Sequence, residues 1–368
     1  MEKISCDIAI IGGGIAAITF AENYKKLNPK KSVCIFEKTN NNPYSKVLLP
    51  HYVKKLISRK KLFIRTETQL KKSGLNYFKN QQVNPIDTKN SCFLTNSFEV
   101  KFNKLVIATG GEPKKISSLY QGFYLQTIED ADLIKEKLQY ASNNYQACVI
   151  GGGFMSLEFF EIFIKYKLKT LGFIKKSGFF SKLTPKELTP VIINLLQQHS
   201  IKIKDLDNIN EITNPFITGI GTGLTRTHNL FGNETEGVKT NKFLESKYKN
   251  IYAIGDVAIV NTNGINRVTG NWNNAIQQGI WLAKYLSNKI FTKYPFDKAT
   301  DYTTSFFGNV LTFLGLTNQQ NVINKIVLNK DNKFISECFI ENKLVGAVLL
   351  NSANQRSNYQ KAISLSDD

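Results

Sequence analysis

Hydrophobic residues first gather over Ile4–Ile11, where Asp7–Ile11 (DIAII) is a run of buried-strand length. Gly12-Gly13-Gly14-Ile15-Ala16-Ala17 follows at once. A helical pattern then runs from Ile18 to Leu27 and is ended by Asn28-Pro29. A second apolar run, Ser32–Phe36, closes on Glu37. Strand, glycine turn, helix, strand and acid together form the setting in which GxGxxG/A has structural meaning. Gly12 permits the tight turn, and Gly14 lets backbone approach a pyrophosphate. Ala17 is small enough for close helix–strand packing. The helix start offers N–H groups and a positive dipole end to phosphates, and Glu37 can accept hydrogen bonds from ribose hydroxyls.

The same order returns in mid-chain. Cys148-Val149-Ile150 reads as a strand, Gly151-Gly152-Gly153-Phe154-Met155-Ser156 as the turn, and Leu157-Glu158 opens a helix. The next strand, Thr170–Ile174, ends in Lys175-Lys176 and lacks a carboxylate for an adenosine ribose. That leaves three readings of the second site: a 2′-phosphate held by Lys175 and Lys176, weaker NADH binding through other groups, or decay. Two nucleotide-binding beginnings imply one cofactor for each.

Two further runs end at glycine. Lys104–Gly110 (KLVIATG) is a buried strand with its turn, and Ile251–Ala258 (IYAIGDVA) ends in Gly255-Asp256. An acid at the C-terminal end of a parallel strand lies where such sheets bind ligands, although it could also cap the next helix. Gly270–Gly279 (GNWNNAIQQG) opens a helix to about Ser287 whose N-terminus could stabilise negative charge. Beyond residue 300 the pattern turns to alternating runs, Val322–Leu328, Phe334–Ile340 and Leu344–Leu350, with turns at Asn329–Lys333 and Glu341–Lys343 and a helical end, Gln355–Leu365. This predicts a small α+β domain with an antiparallel sheet. Phe306–Leu316 is expected to be a buried strand rather than a membrane-surface segment.

Composition adjusts this picture modestly. The 368 residues suggest two or three domains, and 42% apolar content suffices for sizeable cores. No apolar stretch is long enough to span a bilayer, and no leader-like segment precedes the first strand, so a cytoplasmic protein is expected. The net charge of +19 comes almost wholly from Lys; the arginines are only Arg59, Arg65, Arg226, Arg267 and Arg356. That composition argues against nucleic-acid binding, which favours Arg forks, and leaves docking of an acidic protein as the milder expectation. The five cysteines, Cys6, Cys34, Cys92, Cys148 and Cys338, form no CxxC or CxxxxC. They read as small buried thiols, and no metal site is expected.

In order along the chain, GGGIAA with Glu37, KLVIATG, VIGGGFMSLE and IYAIGDVA resemble the FAD-dependent pyridine nucleotide–disulfide oxidoreductase superfamily, in which an NAD(P)H domain is inserted into an FAD domain. The resemblance covers nearly the whole chain. Asn42–Pro50 (NPYSKVLLP), the GNWNNAIQQG helix start and the FFG…VGAVLL tail resemble the branch of NADH:rubredoxin reductases, ferredoxin reductases and the flavin part of nitrite reductases.

The resemblance implies two Rossmann-like three-layer α/β domains, the second inserted in the first, and a C-terminal α+β domain. Residues 1–117 and 241–299 would bind FAD, 118–240 would form a shortened NAD(P)H domain, and 300–368 the last domain. Gly12, Gly14, Ile15, Ala16, Glu37 and Lys38 would hold the ADP half of FAD, with Val83 touching adenine from its backbone. Ala108, Thr109 and Gly110 would line the pyrophosphate–ribitol path, and Asp256 would bind ribitol hydroxyls. Lys46 would sit near flavin N5 and O4, and Asn274 and Ala275 near O2. Gly151, Gly153, Phe154, Met155, Lys175 and Lys176 would take NADH or NADPH, with Glu158 between nicotinamide and flavin.

Two departures bear on function. No cysteine lies between Cys34 and Cys92, where disulfide reductases place their redox thiols, so thiol–disulfide chemistry is disfavoured. The stretch Ile201–Asn250 is too short for the usual β-meander, and Asn214–Gly223 stands where a second ATG-like strand is expected. The implied function is an NAD(P)H-dependent FAD enzyme, monomer or homodimer, passing electrons to an acidic carrier such as rubredoxin or ferredoxin. The alternatives are an FAD-binding module within a complex and an NAD(P)H oxidase or small-molecule reductase.

Overall fold

The strand that opens the chain, Glu2–Ile11, lies at the centre of a parallel sheet because both its faces are apolar; Ile8, Ala9 and Ile10 are almost wholly buried. A computed structural model describes residues 1–116, 121–211, 214–262, 265–268, 270–295, 301–317 and 321–365. The described chain divides into two units, Met1–Val47 with Ser58–Glu112 and Leu224–Pro295, and Leu48–Ile57 with Pro113–Gly223 and Phe296–Asp368.

In the first unit the sheet order is Ile251–Ala253, Phe98–Ile107, Glu2–Ile11, Val33–Phe36, Asn76–Phe78. These pair in parallel, with Cys92–Leu94 antiparallel against Phe98–Ile107. Ile11 stands in register with both Phe36 and Ile107, so the central strand ends level with its neighbours and the turns beyond gather at one edge. The helix Ile15–Leu27 crosses the helix Trp272–Leu286 closely. Gly279 allows that crossing: a Cβ there would stand 2.9 Å from the Ala16 carbonyl oxygen.

In the second unit Ile217–Ile220, Gln146–Ile150, Lys169–Ile174 and Lys202–Asp205 form a four-stranded parallel sheet in that order. The helices Phe154–Lys165 and Leu188–Gln197 pack on it. The same unit holds the short helix Leu49–Val53 and a five-stranded antiparallel sheet. That sheet runs Tyr302–Phe306, Asn309–Gly315, Lys343–Leu350, Lys333–Ile340, Ile323–Lys330, and the helix Arg356–Leu365 covers it through Tyr359 and Ile363. The expected fold class is therefore observed: two parallel α/β sheets, each begun by a glycine-rich turn, and a C-terminal α+β element.

Local boundaries shift from expectation. The first helix begins at Ile15 rather than Ile18, and the mid-chain helix at Phe154 rather than Leu157, because Gly14 and Gly153 are extended N-cap residues. Phe306–Leu316 is two strands, not one. Phe307 and Gly308 both take left-handed φ values, +46° and +77°, and turn the chain into a hairpin. Among the described residues no helix is long and apolar enough to cross a membrane.

Candidate functional site

The first site is built around the turn after Ile11. The Gly12 amide donates to the Phe36 carbonyl at 2.9 Å, and its φ is +99°. A Cβ on Gly12 would lie 2.5 Å from the carbonyl oxygen of Ala108, whose own amide donates to Ile11 at 2.8 Å. Glycine is thus demanded by a close approach of two strand ends. Gly14 differs: no protein atom lies within 4 Å of where its Cβ would stand. The same is true of Gly110, at φ +73°. Ile15 is half-buried and Ala16 buried in the helix that follows.

Glu37 is fixed by the turn it serves. One carboxylate oxygen accepts the Gly13 amide at 2.7 Å, and the other accepts the amide and the hydroxyl of Thr39, each at 2.9 Å. Lys38 forms an exposed ion pair with Glu112. Val83 is buried, and its neighbour Asn84 donates to the Leu94 carbonyl at 2.9 Å. Ala108 is buried, while Thr109 is exposed beside it.

Asp256 stands in the tight turn Gly255–Val257 after the edge strand. Gly255 has φ +75° and gives its amide to the Gln278 side chain at 2.6 Å. Burial holds the Asp256 carboxyl above its ordinary range, against the opposing pull of Arg226 and Lys46. Lys46 is exposed to solvent as a residue. Desolvation pushes its pKa down, against the attraction of Asp256 and then Glu37. Asn274 is wholly buried, and its side-chain oxygen accepts the Tyr294 hydroxyl at 2.8 Å. Asn271 caps the helix, its side chain accepting the Asn274 amide at 2.7 Å and its carbonyl the Ala275 amide at 3.1 Å. Asn274 thus turns its side-chain oxygen inward to Tyr294.

Arg226 belongs to this group although its sequence context gave no motif. Its Nε donates to the Asp256 backbone carbonyl at 2.6 Å, and its guanidinium lies beside Gly270. The available signal was its type, one of five arginines in a chain that otherwise uses Lys. This unit can hold a dinucleotide diphosphate: open space at Gly14 and Gly110, a helix N-terminus, a fixed carboxylate at Glu37, and cations at Lys46 and Arg226.

The second glycine turn repeats the first. The Gly151 amide donates to Phe173 at 2.9 Å, and a Cβ there would lie 2.3 Å from the Gly221 carbonyl oxygen. A Cβ on Gly153 would have only that oxygen in reach, at 3.7 Å. Ser156 is fully buried, and its hydroxyl donates to the Gly221 carbonyl at 3.3 Å, so the larger residue at the third small position is accommodated by a hydrogen bond. Met155 is half-buried. The Phe154 ring goes to an aromatic cluster, with centroids 4.8 Å from Phe180, 5.5 Å from Tyr302 and 5.7 Å from Phe313.

Lys175 is exposed at the end of its strand. Lys176 pairs with Asp207 at 2.9 Å, both largely exposed. In register with Ile174 stands Asp205 on the neighbouring strand, so acidic groups reach this edge from a strand the local pattern did not indicate.

Glu158 is joined by two residues that the sequence pattern did not single out. Lys54, on the short helix Leu49–Val53 at its C-terminal cap, is 8% exposed. Its ammonium lies 3.2 Å from Glu158 and 2.6 Å from Glu161. Burial raises the Glu158 pKa, and Lys54 works against that rise. Burial also opposes the charge on Lys54, but Glu158 and Glu161 outweigh it and hold its pKa up. The i,i+3 spacing of Glu158 and Glu161 was a weak signal; Lys54 was hidden among abundant lysines.

Residues 6–216 match the model of the pyridine nucleotide-disulphide oxidoreductase family. Among curated proteins, the chain is 25% identical over 284 residues to an NAD(P)H sulfur oxidoreductase (CoA-dependent) of Pyrococcus abyssi, covering 70% of this chain and 63% of that protein. It is 22% identical over 288 residues to a coenzyme A disulfide reductase of Staphylococcus epidermidis, covering 70% and 65%. The chain thus spans a little under two thirds of the length of these relatives. Among solved structures, the putidaredoxin reductase–putidaredoxin complex matches with a TM-score of 0.86 at 17% identity, covering 98% of this chain and 93% of that one. NADH:rubredoxin oxidoreductase from Clostridium acetobutylicum matches with 0.80 at 21%, covering 98% and 95%. At these identities the structural likenesses speak for the fold, while the family match spans more than half the chain: the protein belongs to the pyridine nucleotide-disulphide oxidoreductase family.

Proposed function

We propose that the chain is an FAD-dependent NAD(P)H oxidoreductase that passes electrons from a nicotinamide through flavin to a small electron-carrier protein of the rubredoxin or ferredoxin kind. The observation that supports it most is the contrast at the first turn. Gly12 is closed by Ala108, whereas Gly14 and Gly110 face open space, and Glu37 holds the Gly13 amide between Gly12 and Gly14. A diphosphate with its ribose is the group whose size and charge that space suits.

When bound, FAD supplies the hydride-accepting ring and can release electrons singly. The protein's own residues bind and orient it. The Gly14 turn and the 15–27 helix start bind the diphosphate, with Glu37 at the adenosine ribose and Val83 at adenine. Ala108, Thr109 and Gly110 line the path toward Asp256, which takes ribitol hydroxyls, and Arg226 holds the Asp256 turn. Lys46, its pKa pushed down by desolvation, tunes the ring's N5 and O4 edge. The first turn of the 272–286 helix, through Asn274 and Ala275, favours negative charge at O2. In the other unit the Gly151–Gly153 turn with Phe154 and Met155 binds the nicotinamide nucleotide's diphosphate, and Glu158 stands at the nicotinamide. Residues 300–368 complete that unit.

The absence of cysteine between Cys34 and Cys92 argues against a dithiol relay. The names of the curated relatives favour a second reading, a low-molecular-weight sulfur compound as acceptor. Anaerobic addition of NADH or NADPH to the flavin-loaded protein tests the shared first half: bleaching of the visible flavin bands is expected, and no bleaching with either nucleotide overturns both readings. Steady-state rates with rubredoxin, ferredoxin and a coenzyme A persulfide then separate them, the carrier reading failing if only the persulfide is reduced.

A further inference from the structure

We infer that Glu161 is a positioning residue that sets the net charge around Glu158 and thereby makes the nicotinamide site prefer the oxidised ring over the reduced one. The inference rests on the placement of nicotinamide at Glu158 proposed above. Glu158 and Glu161 lie one turn apart on the 154–165 helix, and the nearly buried Lys54 reaches both. Its contact with Glu161, at 2.6 Å, is shorter than that with Glu158, at 3.2 Å. The other Glu161 oxygen accepts the Phe307 amide at 2.7 Å. Phe307 is itself held, its ring stacked on His199 with centroids 4.0 Å apart. Glu161 is therefore fixed at both oxygens, and Lys54 is shared instead of being surrendered to Glu158.

Two carboxylates and one ammonium leave a single net negative charge in a poorly solvated place. His51, on the same short helix as Lys54, does not cancel it: burial and then Lys54 favour the neutral imidazole and outweigh the opposing pull of Glu161. An oxidised nicotinamide ring carries one positive charge and a reduced ring none. An uncompensated negative charge in a partly buried site favours a nearby cation by roughly tenfold in affinity. A lone Glu158–Lys54 pair would be neutral and give no such bias. Glu161 thus supplies the charge that draws the ring toward the state left after hydride departure, without touching the ring.

The test uses the flavin-loaded protein and two ligands that do not reduce flavin, NAD+ and 1,4,5,6-tetrahydro-NAD, whose ring is neutral. Dissociation constants for both are measured by calorimetry at pH 8 on the wild type, Glu161→Gln and Glu161→Ala. Glu161→Gln keeps an acceptor for Phe307 and removes only the charge. Both variants are expected to weaken NAD+ binding about tenfold while changing tetrahydro-NAD binding less than about twofold. Normal binding with an unmoved ratio overturns the inference alone, as does a ratio that moves only in Glu161→Ala, which would make the effect one of anchoring. A wild type that binds neither ligand overturns the nicotinamide placement, and the inference with it.

Discussion

The carboxylate of Glu37 accepts the backbone amide of Gly13 at 2.7 Å, so the acid that ends the second strand also pins the middle of the glycine turn. A hydrogen bond to a charged group is worth about 1.5–3 kcal/mol when one partner is deleted. Glu37→Ala therefore loosens the turn as well as removing a ribose acceptor, and FAD should bind roughly 10- to 100-fold more weakly. Flavin fluorescence regained on dilution measures this directly. Retention equal to the wild type would mean that Glu37 serves only the protein's own backbone.

Gly12 and Gly14 give opposite expectations although they are two residues apart. Gly12→Ala forces a Cβ to 2.5 Å from the Ala108 carbonyl oxygen at a φ of +99°. Strain of about 3 kcal/mol should lower Tm by roughly 5 °C or more. Gly14 has an ordinary φ of −74°, and its Cβ would meet no protein atom. Gly14→Ala should leave the Tm of the apoprotein within about 2 °C while abolishing flavin incorporation, because the methyl projects into the space assigned to the diphosphate. Flavin content of purified Gly14→Ala equal to the wild type would place the cofactor elsewhere.

The glycine turns were legible because their chemistry is local: a strand, three glycines, a helix and an acid lie within one short stretch, and the close approach at Ala108 only completes it. The fold class followed from the same local patterns. Arg226, Lys54 and Glu161 were not legible. Each reaches its partner through packing of distant segments, and Lys54 is one lysine among many. The hairpin at Phe307 was missed for a different reason. Apolar residues flank Gly308-Asn309 closely on both sides, so the pair reads as part of one strand, and the positive φ of Phe307 and Gly308 shows the reversal. Phe154 shows a further limit. A motif names a backbone position, whereas its ring is committed to Phe180, Tyr302 and Phe313.

Asp7 gives a pH dependence with a definite sign. The bond from Lys31 at 2.9 Å, and then the Ser32 amide at 2.9 Å, hold its carboxyl down to about 2. A group whose folded pKa is depressed stabilises the fold above its unfolded pKa, near ~3.9, and loses that contribution as pH falls through the folded value. Because Lys31 is half-exposed, screening reduces the effect to about 1 kcal/mol. Asp7→Asn should lower stability by that amount at pH 7 and by almost nothing near pH 2. Urea midpoints across this window check it; a difference that does not shrink between about pH 4 and 2 would remove Lys31 and Ser32 as the cause.

The net charge of +19 separates the carrier reading from a small-molecule one. Lysines spread over a surface do not create a specific site, but their summed field raises the encounter rate with an acidic protein and is screened by salt. Raising ionic strength from about 0.05 to 0.5 M shortens the Debye length from roughly 14 to 4 Å, so the bimolecular rate of reducing an acidic rubredoxin should fall by about tenfold. Flavin reduction at saturating nucleotide is a step within a bound complex and should change far less. Stopped-flow measurement of the two half-reactions distinguishes these outcomes. A carrier rate that stays flat with salt would reduce the lysine excess to a compositional habit, and a parallel fall in both half-reactions would locate the salt effect in the protein's stability rather than in recognition.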